Sequence, residues 1–302
     1  IYRDDSPKFE DAGGTKYPNK LEIDTTATSS ISLKKGSTGM YLVNAEKLNT
    51  AAGGTIQSVA GETNNVGIYA INGVVDVPTT GTPTEKAEAT TYNANQNNFK
   101  SLTMTNNSNI TLGNGSVGIY TRGQSDTVRN TVTNTGDITV EDKIVASKTE
   151  NYPAVAVYAE NTNLSTTSAI RVGNDGIAFY GKNSTINANG SVDFSNKGVL
   201  AYLENSIFVS KLGNLGATQN TMLYLKDSTA QLDGAGTKVD IDVADGYTGA
   251  YISGNSHLTG VRTIKLGQGS TGLYLENTSP NFVSTAESIS GTKDNARGIV
   301  AK

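Results

Sequence analysis

Gly269-Ser270-Thr271-Gly272-Leu273-Tyr274-Leu275-Glu276-Asn277 runs a small residue, an apolar residue and a tyrosine in succession, then a charge and an asparagine. Nine of the 14 tyrosines end the same short phrase. Clear copies are Gly39-Met40-Tyr41, Gly67-Ile68-Tyr69, Gly118-Ile119-Tyr120, Gly249-Ala250-Tyr251 and Gly272-Leu273-Tyr274. Looser copies end at Tyr158, Tyr180, Tyr202 and Tyr224, spaced 22 residues apart, and Gly298-Ile299-Val300 reads as a tenth copy with valine in the tyrosine place. A near-constant period of this size marks a stacked repeat in which each unit contacts its neighbours.

Places in the repeat are counted from the tyrosine. The −1 residues (Met40, Ile68, Ile119, Val157, Phe179) and the +1 residues (Leu42, Ala70, Thr121, Ala159, Leu203) are apolar, small or threonine. So are those at −3 (Thr38, Val66, Val117, Val155, Ile177). Side chains of a strand alternate with period two, so −3, −1 and +1 are expected to share a face that points into the coil. Place +2 often carries charge, as at Arg122, Glu160, Lys182, Glu204, Lys226 and Glu276. Tyrosine shares that side, which makes it an outward ladder with open space left beside each ring by the glycine at −2. A bulge at that glycine would instead turn the tyrosine inward.

Place +3 is Asn44, Asn72, Asn161, Asn183, Asn205 and Asn277, with Asp227, Gly123 and Gly254 in the other copies. These residue types accept positive φ, so each strand should end in a corner. A polar-apolar stretch such as Ser184-Thr185-Ile186-Asn187-Ala188 follows, then a third strand such as Val239-Asp240-Ile241-Asp242-Val243 or Thr263-Ile264-Lys265-Leu266. Turns such as Leu112-Gly113-Asn114-Gly115-Ser116 and Leu266-Gly267-Gln268-Gly269-Ser270 lead back to the next tyrosine strand. Three short strands and three turns per period describe an all-β fold, a right-handed parallel β-helix (solenoid) of roughly ten or more coils. Stacked about 4.8 Å apart, the coils give a rod some 45–50 Å long. No segment sustains a helical period.

Residues 1–30 read as an N-terminal lead-in segment or irregular coil, and 31–302 as the β-helix. Tyr69 and Tyr120 lie about two periods apart, which predicts one rung without its tyrosine phrase and a protruding loop near 78–98. A smaller inserted loop is expected near 141–153. Insertions into a regular shaft are frequent places for function. Thr84, Glu85, Lys86 and Tyr92 in the first loop are therefore candidate binding residues, with Tyr158, Tyr180, Tyr202 and Tyr224 of the ladder. The final strand stops without the polar cap a solenoid needs, so the chain reads as a piece of something longer.

A net charge of −4 gives no basic footprint for nucleic acid, and zero cysteines remove disulfides and thiolate metal sites. The single histidine, His257, leaves a histidine-based metal site or a serine-histidine-aspartate arrangement little to work with, and it reads as a corner residue. Asp240, Asp242 and Asp245 could gather Ca²⁺, but alternating aspartates on one strand more often mark a solvated face. No catalytic, cofactor-binding or metal residue is assigned and no cofactor is expected. Parallel β-helices also host lyases and glycosidases, which need paired carboxylates at a defined separation. Asn255-Ser256-His257 and Arg262-Thr263-Ile264-Lys265 are only faint echoes of such signatures, so no enzyme is expected.

Repeats of the form Gly-Ser-x-Gly-Ile/Leu-Tyr-x-x-Asn, as at Gly36 to Asn44, Gly115 to Tyr120 and Gly269 to Asn277, resemble the passenger domains of type V autotransporters. The fusobacterial RadD-like adhesins are the nearest group, and the likeness covers roughly residues 30–302. It implies a passenger exported through its own outer-membrane β-barrel, outside this chain, and displayed on the bacterial surface. Its implied partners are host-cell surface proteins or glycans and other bacteria. The expected function is that of an adhesin segment making shallow, multivalent contacts along the rod. The rivals are a spacer shaft without a ligand site and, further off, a β-helical polysaccharide lyase or glycosidase.

Overall fold

Parallel, in-register pairing carries the repeat into three dimensions. In the computed structural model the tyrosine strands form one sheet of 11 strands, from Tyr2–Asp4 through Val117–Arg122 and Gly198–Glu204 to Arg297–Ala301. A second sheet of 10 strands follows the corner, and the third face comprises a six-stranded and a three-stranded sheet. The structure describes residues 29–73, 101–144, 154–195, 197–211, 222–233, 236–278 and 286–302. It also gives the backbone of strands Tyr2–Asp4, Glu22–Asp24, Ile144–Val145, Asn151–Tyr152 and Val283–Ser284. The chain is a parallel β-helix with three strands per coil.

Tyrosine pairs with tyrosine at every step from Tyr41 to Tyr274. Tyr274 then pairs with Val300, the expected valine substitute. At the other end Tyr2 pairs with Tyr41 and Ile23 with Leu48, so strands of the first 30 residues join the same stack.

The tyrosine strand departs from simple alternation at one place. In Val117–Arg122 the residues at −2 and −1, Gly118 and Ile119, are both buried, whereas Val117 and Tyr120 are half-exposed. Val117 at −3 therefore does not share the core face with −1 and +1, contrary to the sequence expectation, whereas Val155 in the Tyr158 copy is buried. A Cβ placed on Gly118 would lie 2.5 Å from the Ala156 carbonyl oxygen in the next rung and 2.7 Å from Ile138 Cγ2. Gly67 stands likewise against Gly118 O and Ile110, and Gly39 against Gly67 O and Ile56. The glycine thus faces inward and leaves no space beside the ring. An isoleucine of the third sheet fills the volume its side chain would take. In the looser copies −2 and −1 trade volume inside the core, Ala178 with Phe179 and Leu200 with Ala201, all fully buried.

The long spacing between Tyr69 and Tyr120 hides no missing rung. Strand Val66–Ile71 pairs directly with Val117–Arg122, Lys47–Asn49 with Thr103–Asn106, and Thr55–Ser58 with Asn109–Leu112. The extra residues enter after the first strand of one coil and leave it intact, so the second-rung reading fails. The expected loop at 78–98, with Thr84, Glu85, Lys86 and Tyr92, lies outside the described residues. At the smaller insertion Ile144–Val145 pairs antiparallel with Asn151–Tyr152, the one antiparallel pairing among the described residues.

Corners repeat as expected with two exceptions. Asn44, Asn161, Asn183, Asn205, Asp227 and Asn277 hold φ between 46° and 53°, and Gly254 holds 62°. After Tyr69 the positive φ moves one residue on, to Gly73, and Gly123 has none. His257 begins the strand His257–Thr259 and is not a corner residue. Behind the corners runs a buried hydroxyl ladder. The Thr162, Ser184, Ser206 and Ser228 N–H groups donate to Ser184, Ser206, Ser228 and Ser256 Oγ at 3.0–3.1 Å. Each of Ser184, Ser206 and Ser228 donates its own hydroxyl to a carbonyl two residues back. At the next corner Thr50, Asn106 and Asn134 form a second buried chain, with Asn106 Nδ2 donating to Asn134 Oδ1 at 2.7 Å. These ladders satisfy polar groups that a turn would otherwise bury unpaired.

Candidate functional site

The tyrosine ladder faces outward but is closed. From Tyr41 to Tyr202 successive ring centroids are 4.6–5.0 Å apart with interplanar angles of 6–9°. Beyond Tyr202 the stack loosens to 5.4–5.7 Å, and the Tyr224–Tyr251 pair tilts by 36°. Spacing equal to the inter-strand distance makes each ring pack on its neighbours, an arrangement that contributes beyond buried area alone. Tyr158, Tyr180, Tyr202 and Tyr224 are half-buried, brought together as expected, and each has a ring on either side. They present edges and hydroxyls to solvent. A sugar or side chain that stacks on an aromatic π-face finds that face occupied.

The charged +2 places form a second row beside the rings. Arg122, Glu160, Lys182, Glu204 and Lys226 align in register and alternate in sign. Lys182 Nζ lies 3.1 Å from Glu160 Oε1. Glutamates of this row also accept hydrogen bonds from tyrosine hydroxyls. Tyr180 donates to Glu204 Oε1 at 3.3 Å, and Tyr251 donates to the Glu276 carboxylate. Burial, then the nearby Glu204 charge, pushes the Tyr180 hydroxyl up to about 12. The same pair of causes, with Glu160, raises Tyr158 still further. Tyr120 and Tyr202 are raised as well, chiefly by burial. These four phenols stay protonated across the neutral range.

The aspartates considered for calcium are held by cations. Arg262 makes a two-point contact with Asp240 at 2.9 and 2.8 Å, and Lys265 reaches Asp240 and Asp242 at 3.6 and 3.5 Å. Lys293 pairs with Asp245 at 3.1 Å. The Arg262-Thr263-Ile264-Lys265 echo is thus a cross-rung ion-pair strand. No group of three or more His, Asp or Glu residues poised for a metal occurs among the described residues. No described helix is long and apolar enough to cross a membrane.

The second sheet carries a feature that the sequence reading missed. Its outward places pair as Thr103 with Thr131, Thr131 with Asn163, Asn163 with Thr185, Thr185 with Ile207, and Ile207 with Thr229. The parallel row is Thr105, Thr133, Ser165, Asn187, Val209 and Gln231. Twelve adjacent outward positions bear no charge. Along one edge of this face runs a shallow groove of about 230 Å³, between the corner loop of Asp126 and Arg129 and the turns of Asn205 and Asp227. A second hollow, about 190 Å³, lies at the opposite corner beside Asp142. There Asp142 is consumed by hydrogen bonds from Asn174 N and Nδ2 at 2.7 and 3.0 Å.

Compared with family models, curated proteins and solved structures, the chain matches none.

Proposed function

We propose that this chain is a shaft segment of a surface-displayed bacterial adhesin, one that holds contact groups at fixed places along a rigid rod. The observation that supports it most is the unbroken register from Tyr41 to Val300, which insertions do not disturb. A shaft of this kind spaces whatever stands off it, because coil length is fixed by strand spacing. The partners under this reading are host-cell surface proteins or glycans and other bacteria. Anchoring is assigned to an outer-membrane barrel outside the chain, by resemblance of the repeat.

Contact is assigned to the corners and the uncharged second face and not to the tyrosine faces, which their neighbours cover. The pure-spacer reading is favoured by one observation, the small volume of both hollows. Drug-sized ligand sites are typically about 300–1,000 Å³. Beads coated with the purified chain, and with a version lacking residues 78–98, should be scored for attachment to epithelial cells and partner bacteria. Attachment by the complete chain supports the adhesin reading. A folded chain that attaches to neither rejects the adhesin reading in favour of the spacer.

A further inference from the structure

The corner after Tyr120 is built unlike those that follow it. At the later corners a single residue with positive φ turns the chain, as Asn161 does between Glu160 and Thr162. Here residues 123–129 separate the strand ending at Arg122 from the one beginning at Asn130. The loop is fixed internally: Val128 N–H donates to Ser125 Oγ at 3.1 Å, and Ser125 and Thr127 hydroxyls lie 3.0 Å apart. Arg129 Nε donates to the Asp126 carbonyl at 2.7 Å. Its Nη1 reaches Asn163 Oδ1 at 3.5 Å and Thr185 Oγ1 at 3.3 Å, one and two rungs along the rod. The guanidinium is thereby posed at the lip of the 230 Å³ groove, with no carboxylate partner in any of these contacts.

Beyond it the groove floor is Thr185, Ile207 and Thr229 in register. Ile207 is 47% exposed and is one of three large exposed hydrophobic residues among those described. The far wall is Asn205 and Asp227, both exposed. Asn205 Nδ2 donates to Asn183 Oδ1 at 2.9 Å, and its own amide oxygen accepts no hydrogen bond among the described residues. Asp227 Oδ1 accepts from Asn255 N–H at 2.9 Å, and its second oxygen takes no hydrogen bond among the described residues. The Asp126 carboxylate is exposed beside the opposite wall.

We propose that this corner groove binds one neutral hexopyranose unit of a glycan. Its free polar atoms are mostly acceptors, with a single posed donor group, which suits a ligand that presents several hydroxyls. Two aspartates against one arginine disfavour a carboxylated or sulfated sugar. The exposed Ile207 side chain suits the C–H face of a pyranose, and the volume suits one ring. Contact along one shallow wall implies millimolar-class affinity for a single unit, raised by repetition of the chain on a surface. The proposal deepens the adhesin reading and rests on it only for where the glycan is met.

The test is an NMR titration of the ¹⁵N-labelled chain with neutral methyl hexopyranosides, with glucuronate and sulfated galactose as charged arms. Saturable shifts at Ser184–Thr185 and Asn205–Ile207 are expected with a neutral hexoside. Arg129→Gln and Ile207→Ser should each weaken them by about fivefold, the scale of one lost contact, while Thr111→Ala on the third sheet changes nothing. Both positions are on the surface, and unchanged spectra elsewhere report that the variants fold. Absence of shifts at these residues, equal shifts in the variants, or tighter binding of a charged arm overturns the proposal. Bead attachment that survives Arg129→Gln sinks the groove alone. Hexoside binding without bead attachment sinks the adhesin reading alone.

Discussion

Tyr180 donates its hydroxyl proton to Glu204, the +2 residue of the following rung, at 3.3 Å. One rung's aromatic row is thereby tied to the next rung's charge row. The phenol is held protonated by burial and by that carboxylate, with its titration moved from 10.0 up to about 12. An unfolded tyrosine loses its proton near 10, so between those values the folded state binds more protons. The contribution is complete below pH 10 and is lost as pH climbs toward 12. Urea midpoints should therefore be level from pH 7 to 9 and fall steadily above 10. Absorbance at 295 nm should show a late-ionising fraction of phenols, that of Tyr120, Tyr158, Tyr180 and Tyr202, above the free-tyrosine titration. Ladder ionisation at the free value, with a flat midpoint, refutes this.

Substituting Tyr202→Ser removes the contacts of one ring with two neighbours. Each aromatic pair contributes about 0.5–1.5 kcal/mol beyond its area, so the variant should lose roughly 1–3 kcal/mol from stacking alone. Binding to any glycan should persist in the folded fraction. A variant of unchanged stability that has lost cell attachment would reverse the assignment of contact away from the ladder.

Ser206 both accepts the Ser184 N–H at 3.0 Å and donates to the Glu204 carbonyl at 2.8 Å, fully inside the wall. Ser206→Ala leaves that N–H unpaired, at a cost of about 1–3 kcal/mol. Ser165→Ala, on the open second face, should change stability by less than about 0.5 kcal/mol. Chemical denaturation of the pair distinguishes a structural ladder from a compositional accident.

Gly118→Ala drives a methyl against Ala156 O and Ile138 and should cost about 1–3 kcal/mol. Gly36→Ala meets no atom within 4 Å but must hold φ at +70°, a cost of about 1–2 kcal/mol. Shortening Ile138 to alanine removes the Cγ2 contact but not the approach to Ala156 O, so it should relieve the first variant in part and the second not at all. Thermal melts of the double mutants read this coupling directly.

Lys182→Glu would place three carboxylates in succession at 160, 182 and 204, aligned by register. Because the lysine side chain is 42% exposed, the penalty should stay under about 1 kcal/mol and shrink in high salt. A salt series of melting curves on this variant and the parent checks both size and sign.

Much of the coil was legible because its signals are local. The outward tyrosine, the inward −1 and +1 places, the charged +2 row and most corner asparagines follow from alternation and φ preference. Place −3 was misread because strict alternation assumes a uniform pleat, and a glycine at −2 does not announce which way its missing side chain would point. The rung count failed between Tyr69 and Tyr120 because an insertion close to one period in length cannot be told from a coil by spacing. Only the pairing of Val66 with Val117 decides it. The closed state of the ladder and the groove under Arg129 depend on residues one and two rungs apart. The stacking distance and the reach of that guanidinium are properties of the stack and have no signature in one repeat.

The backbone hydrogen bonds that join the parallel strands of successive rungs run along the stacking direction of the coils. Tension applied end to end therefore loads the rungs in series and opens them singly, as a zipper opens, where a transverse pull would have to shear a whole row. A released coil of 22 residues can stretch to about 70–80 Å from a rise of about 4.8 Å. Such a rod would lengthen stepwise under force and shorten again when the force drops.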